Sequence, residues 1–311
     1  MSRAYVFPGQ GAQTVGMGRD VAEAYPAAQA VFDEVDEALG ERLSALIWDG
    51  DAETLTLTRN AQPALMACSL AVVRALESEG VQIADGAFVA GHSLGEYSAL
   101  AAAGALALDD TARLLRLRGE AMQAAVPVGM GAMAAILGLD FATVSEIAEA
   151  AAEVGVCQAA NDNDPAQVVI SGHKEAVETA VGIAKDKGAK RSVMLPVSAP
   201  FHCALMAPAA EAMRAALADV AIAAPVVPLV ANVTAEATSD PEIIRAQLVA
   251  QVTGSVRWRE SVAFMAANGV TEIWELGAGK ALSGMVRRID RNLATLAIST
   301  PAEIAATRTT A

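Results

Sequence analysis

The chain of 311 residues is short of several things, and each shortage narrows what it can be. Its three cysteines, Cys68, Cys157 and Cys203, are widely separated and lack C-x-x-C spacing. Neither a disulfide framework nor a zinc site is indicated, and a reducing, cytoplasmic compartment is expected. Basic residues are few: 22 Lys and Arg against 36 Asp and Glu leave a formal net charge of −14, which argues against a nucleic-acid partner. No apolar run is long enough to span a bilayer, the stretch 99–108 falling well short. The first residues enter directly on an apolar segment without a basic leader, so no secretory signal is expected. Aromatics make up 4% of the chain although hydrophobic residues reach 54%, so the core must be built mainly from Ala, Val and Leu, as suits helices packed on a parallel sheet. Histidine stands at three positions only, His92, His173 and His202.

Against these absences stands one dense motif, Gly91-His92-Ser93-Leu94-Gly95, directly after the apolar run 87–90. The run reads as a short buried strand and 94–108 as a helix, which puts Ser93 on the tight turn between them. A hydroxyl there lies at a helix N-terminus, where free N–H groups can stabilise an oxyanion. The pattern suggests covalent acyl transfer, although an ordinary βα turn would also satisfy it.

The rest of the first half alternates short apolar runs with helical patterns, as an α/β fold does. A strand at 4–7 leads into a glycine-rich loop at 8–18; helices are expected at 26–38 and 63–79, and Asp109 and Asp110 read as caps of a helix reaching 123. From 129 to 198 the order becomes βαββαβ: strands at 131–139, 156–160, 167–171 and 191–197, helices at 141–153 and 174–187. That is the ferredoxin-like pattern. Alternation then resumes, with helices at 204–218, 241–252 and 258–268, strands at 228–232 and 271–276, and a frayed tail from Pro301. The expected fold is therefore α/β: a hydrolase-like parallel-sheet large subdomain, 1–128 and 199–311, with an inserted small ferredoxin-like subdomain, 129–198.

A serine needs a base to take its proton. His92 adjoins the serine and suits packing or hydrogen bonding; His173 falls in a polar turn and reads as solvated. His202, after Ser198-Ala199-Pro200-Phe201 at the start of a helix, reads equally as a base kept neutral by the helix N-terminus or as a cap. No Asp or Glu between Ser93 and His202 stands out as an orienter. On the 109–123 helix, Leu114, Arg118 and Met122 share one face, so Arg118 lies on the apolar stripe, while Arg116 can pair with Glu120 on a solvated face. An inward guanidinium wants an anion; pairing with a core acid, or snorkelling to the edge, would serve as well.

The separated segments F-P-G-Q-G-A-Q-T-V-G-M-G at 7–18, Q-P-A-L at 62–65, G-H-S-L-G-E-Y at 91–97, R-L-R-G at 116–119, Q-V-V-I-S-G at 167–172, P-V-S-A-P-F-H-C-A-L-M at 196–206, A-N-V-T-A at 231–235 and E-L-G-A-G-K at 275–280 together resemble the malonyl-CoA:acyl carrier protein transacylase family over nearly the whole length. The resemblance implies that Ser93 carries a malonyl ester, His202 is its base and Arg118 grips the free carboxylate. It implies that the backbone N–H groups of Gln10 and Leu94 form the oxyanion hole, and that a backbone carbonyl at Gln251 orients the imidazole. Leu94 and Phe201 look malonyl-type rather than methylmalonyl-type, Phe201 crowding a branched α-carbon. Implied too is ping-pong transfer from malonyl-CoA to the phosphopantetheine thiol of holo acyl carrier protein for fatty acid biosynthesis, with no cofactor or metal of the enzyme's own; a monomer is expected. Because carrier proteins are acidic, docking needs a local basic surface, for which Lys190, Arg191, Arg287, Arg288 and Arg291 are candidates.

Other motifs fail on inspection. Gly9-Gln10-Gly11 lacks the third glycine of a dinucleotide loop, since Thr14 stands there, and Gly277-Ala278-Gly279-Lys280 is followed by Ala281 where a phosphate-binding loop needs Ser or Thr; it reads as a strand-to-helix turn. Asp162 and Asp164 are expected in a turn and make no metal set. A serine esterase would share Ser93 and His202 but pass the acyl group to water.

Overall fold

In the computed structural model, which describes residues 2–197 and 199–307, the strands in chain order are β1 (Arg3–Phe7), β2 (Phe88–Gly91), β3 (Gly131–Leu137), β4 (Cys157–Asp164), β5 (Gln167–His173), β6 (Arg191–Met194), β7 (Leu229–Val230), β8 (Ala237–Thr238), β9 (Glu272–Leu276) and β10 (Ala294–Ile298). They form a six-stranded sheet of order β10-β9-β1-β2-β7-β8, parallel except for β8, and a four-stranded antiparallel sheet of order β4-β5-β3-β6. The second sheet, with a helix after β3 and another after β5, has the ferredoxin-like arrangement. Ser198, the last residue of the expected insert, lies outside the described residues, as does the tail after 307. Among the described residues no helix is long and apolar enough to cross a membrane.

Period-two alternation decides both cores. On β1, Ala4 and Val6 pack with Ala90, Val230 and Ile273 toward the helices Trp258–Ala267 and Ala281–Ile289, whereas Tyr5 and Phe7 face the large cluster containing the helices Pro26–Leu39 and Thr58–Ser78. On β3, Ala132, Ala134 and Ile136 pack under the helices Phe141–Ala151 and Lys174–Asp186, while Met133 and Ala135 point back toward the large sheet. The small sheet thus turns one face to its own helices and the other to a cleft.

The register brings Phe7 beside Gly91, so the loop after β1 and the turn after β2 emerge side by side at the carboxyl edge of the sheet. There the two glycines of the motif are needed for close approach. A Cβ on Gly91 would sit 1.9 Å from the carbonyl carbon of Gly95, and one on Gly95 would sit 2.2 Å from the carbonyl oxygen of Phe7.

Several expectations need correcting. The second long helix starts at Thr58, with Pro63 inside it; proline removes a single N–H there, and burial of nearly every residue up to Leu76 outweighs that loss. The helix after Ser93 ends at Ala102, because Gly104 takes a left-handed φ of 71° and Ala105 N–H returns to Leu100 at 2.9 Å. Asp109 and Asp110 lie in the first turn of the helix Leu108–Ala124 rather than capping it, and both accept from Arg113. Asp162 and Asp164 stand in β4, not in a turn. His173 is half-buried and takes Val156 N–H at 2.9 Å on Nδ1. The tail does not begin frayed: Thr300 and Glu303 form a capping box that starts a helix at Pro301–Ala306.

The glycine constraint is testable. Gly95→Ala drives a methyl group into backbone, so it should cost about 3 kcal/mol or more, read as a lower urea midpoint; an unchanged midpoint would show that the elbow tolerates a side chain.

Candidate active site

Ser93 sits on the elbow with a left-handed φ of 54°, a conformation that a non-glycine residue keeps only when its surroundings enforce it. The enforcing bonds come from distant parts of the chain. His92 N–H donates to Phe7 O at 3.1 Å, Ser93 N–H to Asn232 Oδ1 at 2.8 Å, and Gln251 Nε2 to Ser93 O at 3.0 Å. Asn232 Nδ2 also donates to Gly91 O at 2.6 Å, so one carboxamide holds both sides of the turn.

His202, also at a positive φ (58°), brings Nε2 to 2.7 Å from Ser93 Oγ, while its Nδ1 lies 2.9 Å from the backbone oxygen of Gln251. A carbonyl can only accept, so Nδ1 carries the proton and Nε2 is the lone-pair nitrogen facing the serine. The ring is buried, and burial foremost, followed by the Arg118 charge, pushes its pKa down to about 3. This corrects the expected cause: His202 precedes a short 3-10 turn, Ala204–Met206, and the helix proper runs Ala207–Ala218.

Arg118 lies on the buried face as its spacing implied, 1% exposed. Nη1 donates to Gln62 Oε1 at 2.7 Å; Nη2 donates to Gln251 Oε1 at 2.8 Å and reaches Ser93 Oγ at 3.2 Å. Its ring neighbour is Tyr97, 5.7 Å from the guanidinium carbon. Among the described residues no carboxylate pairs with it directly, and every hydrogen-bond partner is neutral. The acid in the neighbourhood is Glu96, which takes Asn232 N–H and Gln251 Nε2, each at 3.0 Å, on Oε2, and whose pKa burial pushes up to about 7.

These groups open onto a cleft of about 510 Å³ between the two sheets. Gln10, Leu94 and Phe201 line it from the large sheet's side, Met133, Asn161 and Gln167 from the small sheet. Among the described residues the backbone N–H groups of Gln10 and Leu94 have no hydrogen-bond acceptor. His92 faces away from the serine, its Nε2 2.9 Å from Asn163 Oδ1. The turn 277–280 does connect β9 to a helix, whose Leu282 and Ser283 N–H groups are capped by the buried carboxylate of Glu275. No group of three or more His, Cys, Asp or Glu among the described residues is arranged to hold a metal.

The structure separates other expected pairings. Arg116 bonds Glu41 and Asn60, and Glu120 pairs instead with Arg59 at 3.2 Å. Of the basic candidates, Arg288 is bound to Asp164 at 2.6 Å and Arg287 donates to Thr295 Oγ1 at 2.8 Å, while Lys190 and Arg191 are exposed at the start of β6. Sequence reasoning missed Gln62, Glu96, Asn163 and Asn232 as parts of the site. Three of them stand in the segments Q-P-A-L, G-H-S-L-G-E-Y and A-N-V-T-A, but nothing local says that Gln62 meets Arg118, that Glu96 meets Gln251, or that Asn232 meets Ser93.

A strained serine paired with a neutral imidazole beside a buried arginine, at the carboxyl edge of an α/β sheet, defines an acyl-transfer site. The chain belongs to the acyl transferase family, whose sequence model, described as acyl transferase domain, matches residues 4–291. It is 48% identical over 302 residues to the malonyl CoA-acyl carrier protein transacylase of Bacillus subtilis (strain 168), with 97% of this chain and 94% of that one covered. The crystal structure of acyl-carrier-protein-S-malonyltransferase from Bartonella henselae matches with a TM-score of 0.97 at 57% identity, covering 100% of this chain and 99% of that chain. A malonyl-transacylase solved in complex with its type II PKS acyl-carrier protein matches with a TM-score of 0.97 at 41% identity, both chains covered at 100%.

The buried imidazole has a consequence for stability. An unfolded chain protonates His202 below its ordinary value of 6.5, whereas the native state does so only near 3, so this residue's contribution falls as pH drops from 6.5 toward 3. The slope is at most about 1.4 kcal/mol per pH unit. Glu96 acts oppositely: its folded pKa is raised from 4.5 to about 7, so its contribution is full below 4.5 and is lost as pH rises through 7. Subtracting wild-type from His202→Gln unfolding curves isolates the first effect. The variant should gain on the wild type as the pH is lowered through 6 and 5, and a constant difference would show that the imidazole is not held neutral.

Proposed function

We propose that the protein transfers the malonyl group from malonyl-CoA to the phosphopantetheine thiol of an acyl carrier protein through a malonyl ester on Ser93, supplying fatty acid biosynthesis. The observation that carries this reading is the buried guanidinium of Arg118, with only neutral partners, 3.2 Å from Ser93 Oγ, which itself lies 2.7 Å from the unprotonated nitrogen of His202. Nucleophile, base and a receptor for a distal carboxylate therefore occupy one cleft.

In the first half-reaction His202 Nε2 takes the proton of Ser93 as Oγ attacks the thioester carbonyl. The backbone N–H groups of Leu94 and Gln10 hold the resulting oxyanion, the carbon–sulfur bond breaks, and the CoA thiolate leaves with the proton from Nε2. In the second, the carrier thiol gives its proton to Nε2 and attacks the ester carbonyl, and Ser93 departs and recovers the proton. The Gln251 carbonyl keeps the imidazole in the required tautomer throughout. Arg118 meets the malonyl carboxylate, an anion that a buried cation without an acid partner favours. Leu94 and Phe201 set the space around the α-carbon and favour malonyl over methylmalonyl.

We also place the boundary between two subdomains at 128–129 and 198–199, with the substrate held between them. The exposed Lys190 and Arg191, together with Arg287, Arg288 and Arg291, are the basic residues we assign to carrier docking; the pairing of Arg288 with Asp164 makes it the weakest member. The reading needs no resident cofactor. Buried, unpaired Cys68, Cys157 and Cys203 suit the cytoplasmic location that it includes. A polyketide carrier is a second reading, favoured by the partner in one similar solved complex.

Incubation with malonyl-CoA, with and without a carrier thiol, tests the reaction: a malonyl-protein mass that disappears on adding the thiol is expected, and release of free malonate would indicate a hydrolase. Ser93→Ala should form no such adduct, and a persistent one would falsify the nucleophile. Arg118→Ala should slow malonyl loading about a hundredfold more than acetyl loading; equal losses with the two donors would remove Arg118 from carboxylate recognition.

A further inference from the structure

Behind Arg118 the buried polar side chains form a connected path that the transfer chemistry leaves unused. Arg118 Nη1 donates to Gln62 Oε1 at 2.7 Å, Gln62 Nε2 donates to Thr58 Oγ1 at 3.0 Å, and Thr58 Oγ1 donates to Gln10 Oε1 at 2.9 Å. A guanidinium has no acceptor, so Gln62 must turn its oxygen to Arg118 and its NH2 to Thr58. Thr58 Oγ1 accepts that bond and passes its own proton to Gln10 Oε1. Arg118, Gln62 and Thr58 are 1%, 1% and 0% exposed, so water does not compete for the first two bonds, and the path reaches the cleft at the half-buried Gln10. Aligned donors of this kind polarise one another and hold as a unit.

A glycine makes the path possible. Thr58 and Gln62 lie on the helix Thr58–Ser78, and Arg118 lies on Leu108–Ala124. A Cβ on Gly119 would come within 2.6 Å of Arg59 Cα and 2.7 Å of Thr58 O, both backbone atoms. Any larger residue would push the two helices apart and take Arg118 out of reach of Gln62.

We propose that Thr58 and Gln62 are positioning residues that tie the Arg118 guanidinium and the Gln10 loop into one relay, so that the group receiving the distal carboxylate and the loop over the oxyanion are set together. The inference rests on the malonyl-transfer reading and adds to it a physical link between substrate recognition and activation of the carbonyl. A donor that engages Arg118 steadies the far end of the path at Gln10. A donor without a distal carboxylate leaves that end less constrained.

The test reads the two ends separately and without acyl-CoA. The rate at which a fluorophosphonate labels Ser93 reports the oxyanion end, and the concentration of free malonate that half-protects Ser93 from labelling reports the Arg118 end. Thr58→Val removes the hydroxyl at nearly constant volume and should slow labelling about tenfold and raise the protecting malonate concentration about tenfold. Thr58→Ser should restore both. Gln62→Met, which breaks the path at its middle, should reproduce the paired losses and serves if Thr58→Val melts too low to assay. A change at one end only, or losses that serine does not restore, would overturn the relay. If malonate fails to protect even the wild-type protein, the malonyl reading is what fails, and unchanged labelling in Thr58→Val would then dispose of the relay independently.

Discussion

A guanidinium removed from water is costly unless its charge is compensated, and Arg118 is compensated by two carboxamides, a hydroxyl and an aromatic ring rather than by an acid. Much of the site follows from that arrangement. The helix Thr58–Ser78 must come close enough to supply Gln62, the helix Pro241–Gln251 must end where Gln251 can supply the second amide, and the neighbouring imidazole stays neutral, through its burial first and the Arg118 charge second. The same positive charge opposes the rise of the Glu96 pKa from across Gln251. An unbalanced cation next to a nucleophile costs stability in the free protein. In the function we propose, that cost becomes selectivity for a substrate that brings its own anion.

Gln251 joins these demands. Its backbone oxygen accepts from His202 Nδ1, its side-chain oxygen accepts from Arg118, and its side-chain nitrogen donates to Ser93 O and Glu96. Displacing this one residue would release His202, the backbone of Ser93 and Arg118 at once. Orientation by a carbonyl fixes the tautomer as a carboxylate would but stabilises imidazolium less. That deficit suits a leaving group such as a thiolate, which needs less help than an amine.

What could be read before folding was whatever repeats along the chain. The turn at Ser93 was legible because glycines bracket a serine after an apolar run, and the inward position of Arg118 because Leu114 and Met122 stand four residues to either side. The βαββαβ order of the insert followed from strand and helix periods. Where local signals competed with burial they misled. Pro63 looked like a helix start but lies inside a buried helix, and Asp162 and Asp164 looked like turn residues but stand in β4, neutralised by Arg259 at 2.8 Å and Arg288 at 2.6 Å. Arg116 looked solvated beside Glu120, yet a partner 75 positions away took it.

By itself, then, the sequence determined the class of fold, the turn that carries Ser93 and which face of its helix Arg118 occupies, since each depends on residues a few positions apart whose directions are set by the period of helix or strand. The tertiary structure alone decided which polar groups meet: Asn232 and Gln251, 139 and 158 positions from Ser93, at the turn, and Gln62, 56 positions from Arg118, at the guanidinium. Their directions are set by how helices and sheets pack, and packing depends on the whole core at once.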